Sequence, residues 1–335
     1  MSEALLSALA EAVAELATAH DPGADGPGLA DTARLLDGLP AADRRTLDGL
    51  FRAAALRQPP GPRRERFLKV PAGLGLSGDA HLARCDRAAG YVESFVTLVR
   101  DADPATPVPS CPGWSLADLV RHHGATHRRT EHLVRTRATG RVRSADVPLD
   151  LPADPAGYPD WLAESAKRAL RVLREAEPDA PVWVHGGDPH VRFYPRRLLF
   201  EAVVRLADAE LALGREPAPV DPATAGDGVE EFLENLPYFS WAAEPVAQLD
   251  RDGASLRLTA TDTGAAWTIT LGGGGFAWRR RAEGEPTAGV AGTAADLLLL
   301  LHGRYAADAP RFDRSGDRTL LDAWIASTAL QAPGR

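Results

Sequence analysis

The spacing of apolar residues changes once along this 335-residue chain, and that change limits the fold more than any other feature. Up to about residue 215, apolar residues recur every three or four positions, as on amphipathic helices. Later stretches alternate apolar and polar residues between glycine-rich turns, as antiparallel strands do. These stretches are ASLRLTATD, AWTITLG and GFAWRRRA. The sequence therefore predicts a mainly α fold followed by a smaller antiparallel-sheet α+β domain.

The middle of the chain predicts four helices separated by polar loops, the pattern of a four-helix bundle. They are a helix from about 79, one that starts after the capping residue Ser115, one over about 158–177, and one that begins after Pro195 and ends at the C-cap Gly214. In such a bundle, sites form from inward side chains on facing helices.

The N-terminal part also predicts helices and has no catalytic pattern. Ser2 can cap a first helix, and LADTARLLDGLP and AADRRTLDGLFRAAALRQ continue the helical spacing. The prolines and glycines of QPPGPRRERFLKVPAGLGLSGD then predict a linker. We expect an accessory helical segment over 1–75, the bundle over 76–225 and the α+β domain over 226–335.

Composition and charge exclude several classes of protein. The net charge of −8 argues against general nucleic-acid binding, which needs a basic face. The apolar run near residue 300, LLLLLH, is far too short to span a membrane, and the N-terminus lacks the basic region and cleavage site of a secretory signal. A cytoplasmic protein is expected. Cys85 and Cys111 form no CxxC pair, which favours structural roles for both.

Three of the nine histidines fall within the stretch PSCPGWSLADLVRHHGATHRR. His123 and His127 are four apart and share a helical face, whereas His122 points about 100° away from His123. Such a pair can chelate a metal, cap a helix or face solvent, and this helix alone leaves those alternatives open. On the fourth helix, Glu201 either pairs with Arg205 four residues on or points into the bundle toward the histidines.

Two long stretches carry a family resemblance. CPGWSLADLVRHHGATHRR, followed by RRLLFEAVVRLADAELALG, resembles the mycothiol-dependent maleylpyruvate isomerase family. That family joins a DinB-like four-helix bundle to a C-terminal domain similar to sterol carrier proteins, and GTAADLLLLLHGR and SGDRTLLDAW are similar to its C-terminal pattern. The resemblance covers about residues 79–330. It implies a DinB-like bundle and a sterol-carrier-like domain in this chain.

The resemblance also implies a metal site, with one change. It assigns metal ligands to His122, eight positions after Trp114, and to Glu201, whereas the family's third ligand, a histidine, falls on Arg205. Arginine stays protonated and offers a metal no lone pair. A catalytic site usually has three protein ligands and an open position. We therefore expect the zinc-type site to be lost or severely weakened, with no tightly bound metal. Neither His123 nor His127 points in a direction that easily supplies a replacement ligand.

Two kinds of function stay open. The resemblance implies a thiol-dependent isomerase or S-transferase that uses mycothiol and a small thiol or electrophilic substrate. Arg205 is then the candidate catalytic group, because a nearby cation lowers the pKa of a thiol. The lost ligand and the additional N-terminal helices favour instead a non-catalytic ligand-binding or protein-interaction module. Its protein partner would bind the N-terminal helices.

Overall fold

The computed structural model describes Val13, Leu36 and residues 39–59, 61–74, 76–249, 251–282 and 284–328. These residues form ten continuous α-helices and five strands. The helices are α1 (Ala41–Leu56), α2 (Pro62–Gly73), α3 (Ser77–Val99), α4 (Leu116–Thr136), α5 (Tyr158–Glu175), α6 (Phe193–Ala212), α7 (Pro222–Asn235), α8 (Ser240–Ala247), α9 (Ala294–Leu301) and α10 (Arg318–Thr328). The strands are β1 (Ser255–Ala260), β2 (Ala266–Gly272), β3 (Gly275–Arg279), β4 (Ala288–Gly292) and β5 (Asp313–Gly316).

The described residues fall into two compact units. The first holds residues up to Gly90 together with Ala125–Asp150 and Glu164–Leu199. The second holds Tyr91–Gly124, Leu151–Ala163 and the residues from Phe200 onward. Helices α3 to α6 contribute residues to both units. The division into three domains at about 75 and 225 stays a prediction.

The fold-class prediction, mainly α with a smaller α+β part, is confirmed. The four helices expected for the bundle are α3 to α6. The last of them begins at Phe193, before Pro195 rather than after it, because a proline in the first turn of a helix needs no N–H partner. It ends at Ala212, and Gly214 has the positive φ of 68° expected of a helix C-cap. Among the described residues, no helix has an apolar stretch long enough to cross a membrane.

The prediction of a linker after the first helices is wrong, because Pro62–Gly73 forms α2. Pro62 occupies the first position of that helix, which tolerates proline. Buried apolar side chains outweigh the unfavourable local composition: they form one cluster of Phe51, Ala54, Ala55, Phe67, Leu68, Val70, Leu74 and Leu76. Helix α1 lies where AADRRTLDGLFRAAALRQ predicts it. The expected helix cap at Ser2 and most of LADTARLLDGLP lie outside the described residues.

The sheet has the strand order β3-β2-β1-β4-β5. The three predicted strands are confirmed as β1 to β3 and pair antiparallel, with positive φ angles at Gly273 (61°) and Gly274 (74°) making a two-residue turn. The purely antiparallel arrangement needs correction, since β4 pairs parallel with β1 and the sheet is mixed. Strand β4 reads AGVAG, whose small residues show no clear alternation. Helices cover one face, where Leu256, Leu258 and Ala260 of β1 are buried.

Candidate functional site

A tight turn before α4 sets the orientation of the first site residues. The backbone N–H of Val108 donates to the carbonyl of Trp114 at 2.9 Å, and Gly113 adopts a φ of 83° that favours glycine. Ser115, the predicted capping residue, precedes α4 and forms a capping box with Asp118. The Asp118 N–H donates to Ser115 Oγ at 3.2 Å and the Ser115 N–H to Asp118 Oδ2 at 3.1 Å. This turn holds Trp114 beside the second turn of α4.

His122 lies on α4 next to Trp114, with ring centroids 4.9 Å apart. Its Nε2 atom is 3.4 Å from Glu201 Oε1 and 3.3 Å from Arg205 Nη2. The structure therefore brings together the three residues that the sequence singled out. The His122 side chain is 31% exposed, whereas those of Glu201 and Arg205 are buried, so His122 is the accessible side of the cluster.

Helix α6 supplies three charged side chains at positions i, i+4 and i+7, which share one face of a helix. Arg205 Nε donates to Glu201 Oε1 at 2.8 Å, and Nη1 donates to Asp208 Oδ2 at 3.0 Å. A guanidinium only donates, so Nη2 can bond to His122 only when Nε2 of that ring accepts. The intrahelical ion pair and the inward-pointing glutamate, which the sequence left as alternatives, are thus both present.

The charge of Arg205 is fixed. Burial by itself lowers the pKa of this guanidinium, but the carboxylates of Glu201 and Asp208 outweigh that effect and raise the pKa above its ordinary value. The guanidinium carbon also lies 5.8 Å from the centre of the Trp114 ring. Arg205 is consequently a permanent cation with two buried anionic partners.

Asp208 is a second centre of the cluster, and it extends the site to Arg304, which follows α9. Arg304 binds both carboxylate oxygens, with Nε 2.8 Å from Oδ1 and Nη2 2.8 Å from Oδ2. Ser110 Oγ donates to Oδ1 at 2.6 Å. Burial raises the pKa of Asp208, but the Arg304 and Arg205 guanidinium groups outweigh it and hold that pKa below its usual range.

Sequence reasoning missed Arg304 and gave Asp208 no role. The two residues are 96 positions apart, so no helical or strand period connects them. The signal that could have drawn attention to Arg304 is a charged residue that directly follows LLLLLHG, an apolar helix with its glycine stop. Gly303 has a φ of 74° there, and an Arg304 N–H donates to the carbonyl of His302.

Cys111 lies beside both guanidinium groups, with Sγ 3.5 Å from Arg304 Nη2 and 3.8 Å from Arg205 Nη1. Cations at this distance lower the pKa of a thiol, yet burial and the carboxylate of Asp208 dominate and raise it. Cys111 therefore stays protonated. Both cysteines are free and buried, as expected of structural residues.

His123 and His127, also on α4, are buried, unlike the partly exposed His122. His123 packs edge-on against Phe95, with ring centroids 5.1 Å apart. The His123 side chain therefore points in a different direction from the His122 side chain, as the helical spacing predicts.

The residues present do not fit a divalent ion. Metal–ligand bonds of about 2.0–2.2 Å place two ligands of a tetrahedral ion roughly 3.3–3.6 Å apart, and the 3.4 Å between His122 Nε2 and Glu201 Oε1 lies in that range. The third vertex, however, is a guanidinium that donates to Glu201 and repels a cation. Across the described part of the chain, no three His, Cys, Asp or Glu side chains form a group that could hold an ion.

Comparison with known proteins identifies the helical part. Residues 85–210 match the mycothiol maleylpyruvate isomerase N-terminal domain family. The match covers these residues and not the rest of the chain. The recognition from the CPGW stretch and the α6 stretch is confirmed for these residues, and Trp114, His122, Glu201 and Arg205 all lie within the isomerase-family domain. Arg304 lies outside it.

No curated protein matches the chain. Among solved structures, the UbiJ-SCP2 ubiquinone synthesis protein is 17% identical, covers 33% of this chain and 93% of its own, and has a TM-score of 0.26. The sec-alkylsulfatase Pisa1 from Pseudomonas sp. is 13% identical, with 87% of this chain and 52% of its own covered and a TM-score of 0.27. A double mutant of that sulfatase is 14% identical, with 91% and 44% covered and a TM-score of 0.27. TM-scores this low support neither a shared overall fold nor a shared activity, and the sterol-carrier-like domain stays a prediction.

Proposed function

We propose that this chain is a non-catalytic, ligand-binding member of the maleylpyruvate isomerase family whose site holds a guanidinium in place of a metal ion. One observation carries the proposal: Arg205 donates to Glu201 at 2.8 Å and to Asp208 at 3.0 Å while its third nitrogen is 3.3 Å from His122. These contacts engage the two inherited ligand side chains. A divalent ion would have to displace a buried cation from both of them.

The same contacts argue against activation of a thiol. A metal ion binds a thiol as its thiolate, the nucleophilic form, because the ion keeps an open coordination position and an uncompensated charge. Arg205 has two carboxylate partners within 3.0 Å, so its charge is largely neutralised before a ligand arrives. Cys111 illustrates the result, because its thiol pKa is raised despite the two guanidinium groups beside it.

The ligand we propose is a small thiol or electrophile that approaches from the exposed side of His122. That side combines the imidazole edge with the neighbouring indole of Trp114, 4.9 Å away. An apolar ring and a polar ring side by side suit a small organic molecule. Mycothiol is the first candidate, because the family of residues 85–210 uses it.

A second candidate function is the family reaction, a mycothiol-dependent isomerisation or S-transfer. The observation that favours it is the retained geometry of His122 and Glu201, whose facing atoms are 3.4 Å apart with the histidine accessible. In this function Arg205 would be the group that lowers the pKa of the bound thiol. The N-terminal helices as a protein-binding surface and a cytoplasmic location remain predictions.

The decisive experiment measures binding, turnover and metal content on the same full-length protein. We expect calorimetry to detect mycothiol binding that weakens in Trp114→Ala, no thiol-dependent turnover of maleylpyruvate, and no stoichiometric zinc after purification without chelator. The matched control is His132→Ala, a second histidine of the same helix that belongs to no part of the cluster described above. Stoichiometric zinc that disappears in His122→Ala, or turnover that requires His122, would establish the second candidate instead.

A further inference from the structure

The carboxylate of Asp208 accepts hydrogen bonds from three separate parts of the chain. Its Oδ1 atom accepts from Arg304 Nε at 2.8 Å and from Ser110 Oγ at 2.6 Å. Its Oδ2 atom accepts from Arg304 Nη2 at 2.8 Å and from Arg205 Nη1 at 3.0 Å. Oδ1 thus has two donors, and Oδ2 has a third, the Cys111 thiol at 3.7 Å, so the carboxylate is close to its full capacity.

The two arginines bind this carboxylate differently. Arg304 uses the two-nitrogen fork that matches a carboxylate and fixes its orientation. Arg205 contributes a single nitrogen to Asp208, and its other two nitrogens face Glu201 and His122. The orientation of the Arg205 guanidinium therefore depends on how many lone pairs of Asp208 already accept hydrogen bonds from other donors.

We propose that Arg304 is a positioning residue for Arg205. By occupying both oxygens of Asp208, it limits that carboxylate to one hydrogen bond with Arg205 and leaves Nε and Nη2 for Glu201 and His122. This inference rests on the proposed function, since it concerns how the guanidinium is kept where relatives hold a metal ion. A residue that follows α9 in the α+β part thereby controls a site on the family's helical domain.

Loss of the Arg304 guanidinium has a definite consequence for Arg205. Asp208 is fully buried, so a carboxylate deprived of its fork cannot turn to water and must recruit another donor. Arg205 lies three residues earlier on the same helix and already touches Oδ2. It is drawn into a two-oxygen contact with Asp208, and its Nε and Nη2 atoms leave Glu201 and His122.

The Nε–H group of Arg205 reports this movement directly. Its NMR signal in the full-length protein can be assigned as the one lost in Arg205→Lys, and its hydrogen exchange with water measured. We expect Arg304→Gln to speed this exchange by about tenfold or more, since a charged hydrogen bond to Glu201 is lost. The control is Arg311→Gln, which removes an arginine of the same region that pairs with Asp296 and Glu216 and should leave the Arg205 signal unchanged.

A rescue variant separates positioning from general loss of structure. In Arg304→Gln combined with Asp208→Asn, no buried anion remains at 208 to attract Arg205, so slow exchange at its Nε–H should return. If Arg304→Gln fails to fold, Arg304→Lys is measured in its place and should also speed the exchange relative to the unmodified protein, because lysine cannot form the two-nitrogen fork. Unchanged exchange in a folded Arg304 variant, or no recovery in the double variant, would overturn the inference. Zinc or turnover in the unmodified protein would instead defeat the proposed function and leave this exchange result untouched.

Discussion

His122 Nε2 and Glu201 Oε1 face each other at 3.4 Å across the helical domain's site, close to the spacing of two ligands on one tetrahedral ion. Arg205 lies beside this pair, and its nitrogens contact both atoms. Under the proposed function, this is the arrangement of two metal ligands with a protein cation in the place of the metal. The loss of metal binding that we propose then depends on one side chain.

Arg205→His should accordingly create a divalent metal site. The change removes the cation and supplies an imidazole as a third ligand, one helical turn after Glu201. We expect zinc or cobalt to bind roughly 100-fold more tightly than to the unmodified protein, a range that metal-site substitutions commonly span. Titration with cobalt(II), followed by its visible absorption, measures both affinity and coordination geometry.

The control for that variant is Arg205→His combined with His122→Ala, which should lose the gained affinity. Arg205→Gln serves as a second control, because it removes the cation without supplying an imidazole. Equal cobalt binding by Arg205→Gln and Arg205→His would show that the new affinity does not come from the designed ligand set.

Asp208→Asn should be one of the most destabilising changes in the second unit. It removes the carboxylate that two buried guanidinium groups share, and breaking a buried ion pair by removing one partner costs about 3–5 kcal/mol. Chemical denaturation at neutral pH measures the free energy of unfolding. Asp160→Asn is the matched control, since that aspartate is exposed and pairs with Arg100 at the surface; a similar loss in both variants would contradict the buried-network account.

The pH dependence of the same network has a definite sign. The pKa of Asp208 is lowered from its ordinary 3.8 in the folded protein, so the folded state binds its proton less readily than the unfolded chain does. The stability that Asp208 contributes is complete well above pH 3.8 and is lost as the pH falls through and below that value. We expect the stability difference between the unmodified protein and Asp208→Asn to shrink below about pH 4. A difference that grows with acidity would be inconsistent with a lowered pKa.

Local patterns predicted much of the helical part and little of the network around Asp208. Helical spacing, the Ser115 cap and the Gly214 stop give α3 to α6 nearly as observed, and the family resemblance picks out His122, Glu201 and Arg205. The i, i+4 spacing also predicts the contact between Glu201 and Arg205. Apart from the resemblance, each of these signals acts within a few turns of one helix.

The missed features depend on tertiary contacts. Helix α2 forms in spite of its prolines because Phe67, Leu68 and Val70 are buried in an apolar cluster. Strand β4 forms because it pairs in parallel with β1. Arg304 meets Asp208 only after the chain folds. Its stretch, LLLLLHGR, indicates a buried helix but gives no sign of which carboxylate the arginine reaches.

The two cysteines should be nearly inert in the folded protein. Burial raises the pKa of Cys85 to about 12 and also raises that of Cys111, so neither offers much thiolate near pH 8. Because the thiolate is the reactive form, we expect a disulfide reagent to react with Cys85 roughly 1,000-fold more slowly than with a free thiol, and to react more slowly with Cys111 as well. Absorbance at the reagent's product wavelength measures the rate, and the same protein in denaturant supplies the control. Fast reaction of one cysteine in Cys85→Ser but not in Cys111→Ser would identify Cys111 as an activated thiol.

Gly124 of α4 packs against the Trp161 ring of α5, a contact that a single substitution can test. A Cβ added at Gly124 of α4 would lie 2.1 Å from Cζ3 of the buried Trp161 ring on α5, so the ring or the helix must move. Overpacking of this kind costs about 1–3 kcal/mol, which exceeds the gain of up to about 1 kcal/mol that alanine brings to a helix. Gly124→Ala should therefore lower the free energy of unfolding. Gly90→Ala, whose added Cβ would meet no atom within 4 Å beyond its chain neighbours and the nearby backbone of its own helix, should raise it by about 0.5–1 kcal/mol. Denaturant titration of the two variants compares glycine-to-alanine changes within helices of the same protein, and a stabilised Gly124→Ala would rule out the tight contact with Trp161.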